Sequence, residues 1–241
     1  MTIRNNPKQL SGRKIFVYIM IMLSGAMAMT QTPSGFQPHT KASLVTMVLN
    51  APVSVEQIQE YTRKLPNVRS QKEVTTSHIY LDTAGRMRLE MNLSSPLGES
   101  VLVVTLADPV AGWIVLLDTP SKIAHRMMLP KTTPPAGFAF AWPGISMAVK
   151  NRIVENLGKR TVGAIEYEGT RTKVTSDDQP PLTSVDERWV STELGLTALV
   201  EADSPSEHYS ARIQNLIRKN PDPGLFVIPP DYTIRDTKDS D

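Results

Sequence analysis

The 241-residue chain contains no cysteine. That absence excludes disulfides, thiolate metal sites and thiol nucleophiles. Histidine is scarce as well: His39, His78, His125 and His208 are the full set, and no H-E-x-x-H motif occurs. The chain also lacks a G-x-S-x-G elbow and a phosphate-binding loop. Gly158 and Gly163 lie five apart without the Lys-Ser/Thr ending such a loop requires, so they are read as residues opening tight turns at positive φ. No local signature supports catalysis, a cofactor or a metal ion. The expectation is therefore a non-enzymatic protein. An exported hydrolase would need acid and base groups to converge from distant parts of the chain.

Long apolar runs are missing too. The longest covers residues 15–29, with 15 mostly apolar positions, whereas a bilayer-spanning helix needs roughly 20. Arg4, Lys8, Arg13 and Lys14 precede it, and Ala26-Met27-Ala28 supplies a small-x-small pattern near its end. This order predicts a signal peptide over residues 1–28, with Ala26 and Ala28 marking the cleavage site. The competing reading is an uncleaved anchor. Leu23-Ser24-Gly25 approaches the next position as a bacterial lipoprotein signal approaches its lipidated cysteine, but Ala26 stands there. With no thiol there is no thioether-linked lipid, so the mature chain is expected to be periplasmic or secreted and not membrane-spanning. The full chain carries 26 basic and 24 acidic side chains, and four of the basic ones leave with residues 1–28. The remainder has a net charge of −2, which gives no reason to expect a nucleic-acid partner.

Residues 29–43, polar with Pro and Gly, read as a flexible lead, and residues 44–234 as a single β-rich domain. Residues 53–65 are ambiguous. Val55, Ile58, Thr62 and Leu65 fit a helical stripe, whereas Val53, Val55, Gln57, Gln59 and Tyr61 form an impure alternation. From Thr75 onward the pattern is β. Thr75–Leu81 and Arg86–Leu93 flank Asp82-Thr83-Ala84-Gly85, a hairpin signal. In the second arm Met87, Leu89, Met91 and Leu93 alternate with Arg86, Arg88, Glu90 and Asn92, the mark of a half-buried antiparallel strand.

Val101–Leu106 is continuously apolar, and Trp113–Leu117 and Ile123–Leu129 form a further pair. Residues 130–146, rich in Pro and Gly, read as a surface excursion. Val149–Leu157 fits either strand or helix. Ala164–Thr175, Glu187–Thr192, Leu196–Ala202 and Tyr209–Ile217 are β-prone. Leu225–Ile228 and Tyr232–Ile234 read as a last strand broken by Pro229-Pro230, ahead of a charged, disordered tail over 235–241. Short strands with closely spaced turns argue for an all-β chain with minor α content, built as a curved antiparallel sheet or half-open β-barrel.

Five segments extend this reading. They are YLDTAGRMRLEM (80–91), TLADPVAGWIVLLD (105–118), LGKRTVGAIEYEGTRTK (157–173), ERWVSTELGL (187–196) and NPDPGLFVIPPDYTI (220–234). Together they resemble a family of uncharacterised exported bacterial proteins. That family repeats a D-x-x-G-R-x-R-x-E hairpin, a D-P-x-x-G-x-x-x-x-L-D hairpin, an L-G-x-R-x-x-G...G-T-R segment, a W-x-S-x-E-L hairpin and a P-D-P-x-L-F-x-x-P-x-D-Y-x-I tail. More distantly the chain looks like the lipoprotein carriers LolA and LolB and the envelope-stress regulator RseB. This resemblance implies a half-open β-barrel lined with apolar side chains and covered by helices, binding acyl chains or lipoproteins without chemistry. It also implies that Val53–Lys64 is a strand paired with Thr75–Leu81. The carriers' local acyl-binding motif has no counterpart here.

Candidate ligand contacts follow from residue chemistry. Met87 and Met91 offer soft side chains for variable apolar ligands, against plain core packing. Arg86 and Arg88, sharing a face with Glu90, offer contacts to an anionic head group, against a solvated face with ion pairs. Trp142, in AFAWPG, is the tryptophan best placed for an exposed contact, whereas Trp113 and Trp189 read as core. Asp82, Asp108 and Asp118 read as turn caps. Two functions remain in view: a carrier of a lipid, lipoprotein or other apolar envelope ligand, and an envelope interaction module with a solid β core. They differ in whether the sheet encloses apolar volume.

Overall fold

The computed structural model describes residues 50–64, 70–94, 100–129, 151–162, 164–176 and 180–237. The signal segment with Ala26 and Ala28, the 29–43 lead, His39 and the excursion holding Trp142 lie outside them. Twelve strands form one sheet: β1 (Val53–Arg63), β2 (Gln71–Leu81), β3 (Met87–Ser94), β4 (Ser100–Asp108), β5 (Trp113–Asp118), β6 (Ile123–Met128), β7 (Asn151–Val162), β8 (Ile165–Thr175), β9 (Thr183–Ser191), β10 (Leu196–Asp203), β11 (Glu207–Ile217) and β12 (Thr233–Asp236). Their spatial order is β12-β6-β5-β4-β3-β2-β1-β11-β10-β9-β8-β7. Every pairing is antiparallel except β12 with β6. The two edge strands do not pair with each other, so the sheet is open and not a closed barrel.

Local chemistry explains the hairpins. At the β2–β3 turn the Asp82 carboxylate accepts from the Ala84 and Arg86 amides at 3.0 and 2.8 Å, and Gly85 takes φ +77°. Asp108 accepts from the Val110 and Ala111 amides at the β4–β5 turn. Residues 53–63 form a strand and not a helix. Their inner positions Val53, Val55 and Gln57 are buried in alternation, and Val53–Arg63 pairs residue by residue with β2. Residues 151–157 are likewise strand. Gly158 has the expected positive φ (+79°), but it sits inside β7 at a register shift opposite Gly169 and therefore opens a β-bulge.

The C-terminal segment departs from the expected broken strand. Pro223–Phe226 is a 3-10 turn, capped by Asp222 accepting from the Gly224 amide at 2.8 Å. The strand that follows, β12, takes in Arg235 and Asp236 from the charged tail, where Arg126 and Asp236 pair at 2.7 Å.

The sheet is one layer, and among the described residues neither a second sheet nor an α-helix covers it. The covering helices that the carrier resemblance implies are not found there. Even so, Val53, Leu81, Leu194 and Leu196 are fully buried in one cluster drawn from β1–β5, β8–β10 and the β9–β10 turn. A flat single layer would leave that face wet, so the sheet curls over its own apolar side. Irregularities help the curl. An extra residue between Thr197 and Leu199 in β10 separates Leu196, in the main cluster, from Val200 and Ala202, which pack with Tyr209 and Ala211. A third cluster occupies the other face of β4–β6: Val104, Leu106, Val115, Leu117 and Ala124, under Ile228 and Tyr232. With both faces covered, β4 buries Val103–Ala107 at consecutive positions, Thr105 included, which accounts for the later part of the run read over Val101–Leu106, whereas Leu102 is exposed.

Candidate functional site

The residues singled out in the sequence fall on two sides of β3. Met87 and Met91 are buried on the concave face, where Met87 pairs with Leu81 and Ala107 and Met91 with Ser77 and Val103. Arg86 and Arg88 lie on the outer side, and the sheet separates the two sets, so they do not form one site. The arginines have partners of their own. Arg86 donates to Asp82 at 2.6 Å and stacks over the Phe226 ring at 5.1 Å. Arg88 pairs with Glu90 at 2.6 Å and donates to the Leu225 carbonyl at 3.1 Å. The Thr83 amide donates to Asn220 at 3.2 Å. The D-x-x-G-R-x-R-x-E hairpin and the terminal P-D-P-x-L-F segment are thus two halves of one fastening.

A second fastening joins the L-G-x-R segment to the W-x-S-x-E-L hairpin. The Trp189 ring lies between Arg160, 3.9 Å from its centroid, and Gly169, where a Cβ would meet the ring at 2.7 Å. The indole N–H donates to Glu187 at 2.8 Å, and Arg171 holds the same carboxylate at 2.9 Å. These two donors, the indole first, keep the Glu187 carboxyl below its usual range. Trp189 is core, and Trp113 packs against the outer cluster.

The concave face carries what remains. Its floor runs from Val53 and Val55 through Ile79, Leu81, Met87, Leu89 and Met91 to Ala107 and Ile114. Toward the far end of β1 it turns polar. Gln57 and Ser77, cross-strand neighbours, are 3% and 0% exposed. Gln57 Oε1 accepts from Gln59 at 2.6 Å, while Gln57 Nε2 and Ser77 Oγ have no hydrogen-bond partner among the described residues. Further along, Tyr61 opposes Tyr209, whose buried hydroxyl is also unpartnered and whose pKa burial pushes up to about 12. Arg63 donates to the Tyr61 hydroxyl at 3.2 Å and pairs with buried Glu207 at 3.5 Å. Leaving a buried donor unpaired costs about 1–3 kcal/mol. This stripe is therefore the expensive part of an otherwise apolar face.

Sequence reasoning did not select Gln57 or Ser77. The available signal was the impurity of the alternation in residues 53–61, where amides occupy inward positions.

His208 contacts Asp203 at 2.8 Å on the surface, and burial lowers the pKa of His125. Among the described residues no three metal-ligating side chains converge. No described helix is long and apolar enough to cross a membrane.

No family model and no curated protein matches the chain. Three solved structures are similar to it in part. A LolA superfamily protein from Nitrosomonas europaea aligns at 6% identity and TM-score 0.35, over 75% of this chain and 92% of that one. LprF from Mycobacterium bovis aligns at 10% identity and TM-score 0.30, over 71% and 90%. The lipoprotein LppX from Mycobacterium tuberculosis aligns at 9% identity and TM-score 0.28, over 68% and 85%. Scores of this size assign neither ligand nor activity to the chain.

Proposed function

We propose that the chain is an exported, non-enzymatic periplasmic protein, released by cleavage near Ala28, that holds a lipid, a lipoprotein or another apolar envelope ligand against its concave face. The observation that carries this reading is the face itself. An open, curled sheet lines its concave side with a buried apolar floor from β1 to β5, interrupted by buried polar atoms that have no partner among the described residues. Arg4 to Ala28 supply the export signal. The test is to purify the mature chain from cells, extract it and identify bound lipid by mass spectrometry, with titration of the neutral apolar dye N-phenyl-1-naphthylamine alongside. Copurifying acyl lipid and saturable dye binding are the expected results. Absence of both overturns the lipid reading.

One observation favours a second reading, an interaction module of the envelope that works through a strand edge. β7 has a neighbour on one side only among the described residues, and it exposes Ile153, Val154 and Val162. An edge of that length presents unpaired backbone groups that another chain can extend. Cross-linking from a cysteine placed at Ile153 would capture a defined envelope partner under this reading and none under the first.

A further inference from the structure

We infer that Gln57 and Ser77 form the seat for the carbonyl oxygen of an ester- or amide-linked acyl chain, with the tail running along Met91, Leu89 and Met87. This rests on the ligand-binding reading above and narrows it to a chemical class. The two residues face each other across β1 and β2, and both are more than nine-tenths buried. Their neighbours in the pairing are apolar on three sides: Ile213 beside Gln57 on β11, Met91 beside Ser77 on β3, and the Val55–Ile79 pair next along the strands; the Gln59–Thr75 pair lies on the fourth. The Gln57 acceptor is already used by Gln59. Beyond that bond the pair offers the Gln57 NH2 group and the Ser77 hydroxyl, neutral N–H and O–H donors that have no partner among the described residues.

A carbonyl oxygen has two lone pairs and fits two donors. An alkane would leave both unpaired. A carboxylate or phosphate would be buried without a counter-charge, because Arg63, the cation on β1, is held by Tyr61 and Glu207 six residues away. The donors are sealed from solvent, so the seat opens only when a ligand replaces the side chains packed on it. Their unsatisfied state lowers the cost of that opening.

The test uses the full mature chain, loaded with N-phenyl-1-naphthylamine and displaced by methyl palmitate, palmitic acid or hexadecane. Wild type should prefer the ester over the alkane. Gln57→Met and Ser77→Ala should each reduce that preference about tenfold, the effect of one lost buried hydrogen bond, while hexadecane displacement stays unchanged. Ser77→Ala should melt at or above the wild-type temperature, because it removes an unpaired buried polar atom, and Gln57→Met close to it, because the loss of the Gln59 bond offsets the removal of the unpaired NH2. An unchanged ester preference in both variants overturns the seat and leaves the ligand-binding reading standing, whereas failure of the dye to bind wild type overturns both. A lower melting temperature in both variants shows that water or another part of the chain already satisfies these groups, and overturns the seat. Preference for the free acid over the ester also overturns it.

Discussion

The two ends of the sheet are finished in different ways. At the β12 end, strands β4 and β5 are buried on both faces, and the C-terminal segment lies across the outer one. Ile228 and Tyr232 seal that face, Phe226 is buried under Arg86 beside β3 and β4, and Lys122 stacks on Tyr232 at 4.8 Å while pairing with Asp231 at 3.1 Å. At the β7 end, Ile165, Tyr167 and Trp189 are buried while Asn151 to Asn156 are exposed throughout. Both ends use an arginine over an aromatic ring, Arg86 over Phe226 and Arg160 over Trp189. The difference lies in what each fastening secures: the first binds distant segments, the second binds neighbouring strands. In both, the recurring motif residues are engaged with one another. These residues therefore help to hold the sheet, and the ligand proposed above is placed on the concave face.

Breaking the first fastening should have the largest effect. Phe226→Ala is expected to destabilise the chain by about 3–5 kcal/mol. Hydrogen exchange should show lost protection in β3 and β4 and little change in β8–β9. Equal loss at both ends would show that the two regions unfold as one unit. Gly169→Ala tests the second fastening. The new Cβ displaces a ring held from above by Arg160 and at its edge by Glu187, at an expected cost of about 1–3 kcal/mol in urea unfolding, with exchange rising in β8–β9.

Glu187→Gln should have the smallest effect, under about 1 kcal/mol at neutral pH because the carboxylate is partly exposed. Its sign with pH is defined. The folded-state pKa lies below the ordinary 4.5, so the stabilisation is complete above that value and lost as pH falls through the folded one. Wild type and variant should therefore converge in thermal melts taken toward pH 3. A gap that persists in acid would assign the effect to packing.

Much of the sheet was legible because antiparallel hairpins are written locally. The Asp82 and Asp108 turns and the alternation in β3 need no distant information. The unbroken run in β4 was visible too, although its cause, a cover some 120 residues further on, was not. What stayed hidden depends on distant pairing. Residues 53–63 looked partly helical because Gln57 and Gln59 interrupt the inner face, and only β2 and β11 on either side fix them as strand. Gly158 reads as a turn unless Gly169 is known to lie opposite. Leu225 and Phe226 look like strand residues, yet Asp222-Pro223-Gly224 starts a 3-10 turn that points Phe226 at Arg86. The Gln57–Ser77 pair was illegible for the same reason: each is an ordinary strand residue until the register sets them face to face.

The parallel pairing of β12 with β6 also has a consequence for the order of events during synthesis. Arg126 waits 110 residues for Asp236, and β1 waits for β11 before the two halves of the sheet join. Until residues 226–236 have emerged, the side of β4–β6 formed by Val104, Leu106, Val115 and Leu117 is bare. The nascent chain thus carries this apolar surface bare until residues 226–236 are available to cover it. A product stopped before residue 226 would keep β1–β11 and still be a substrate for chaperones and proteases.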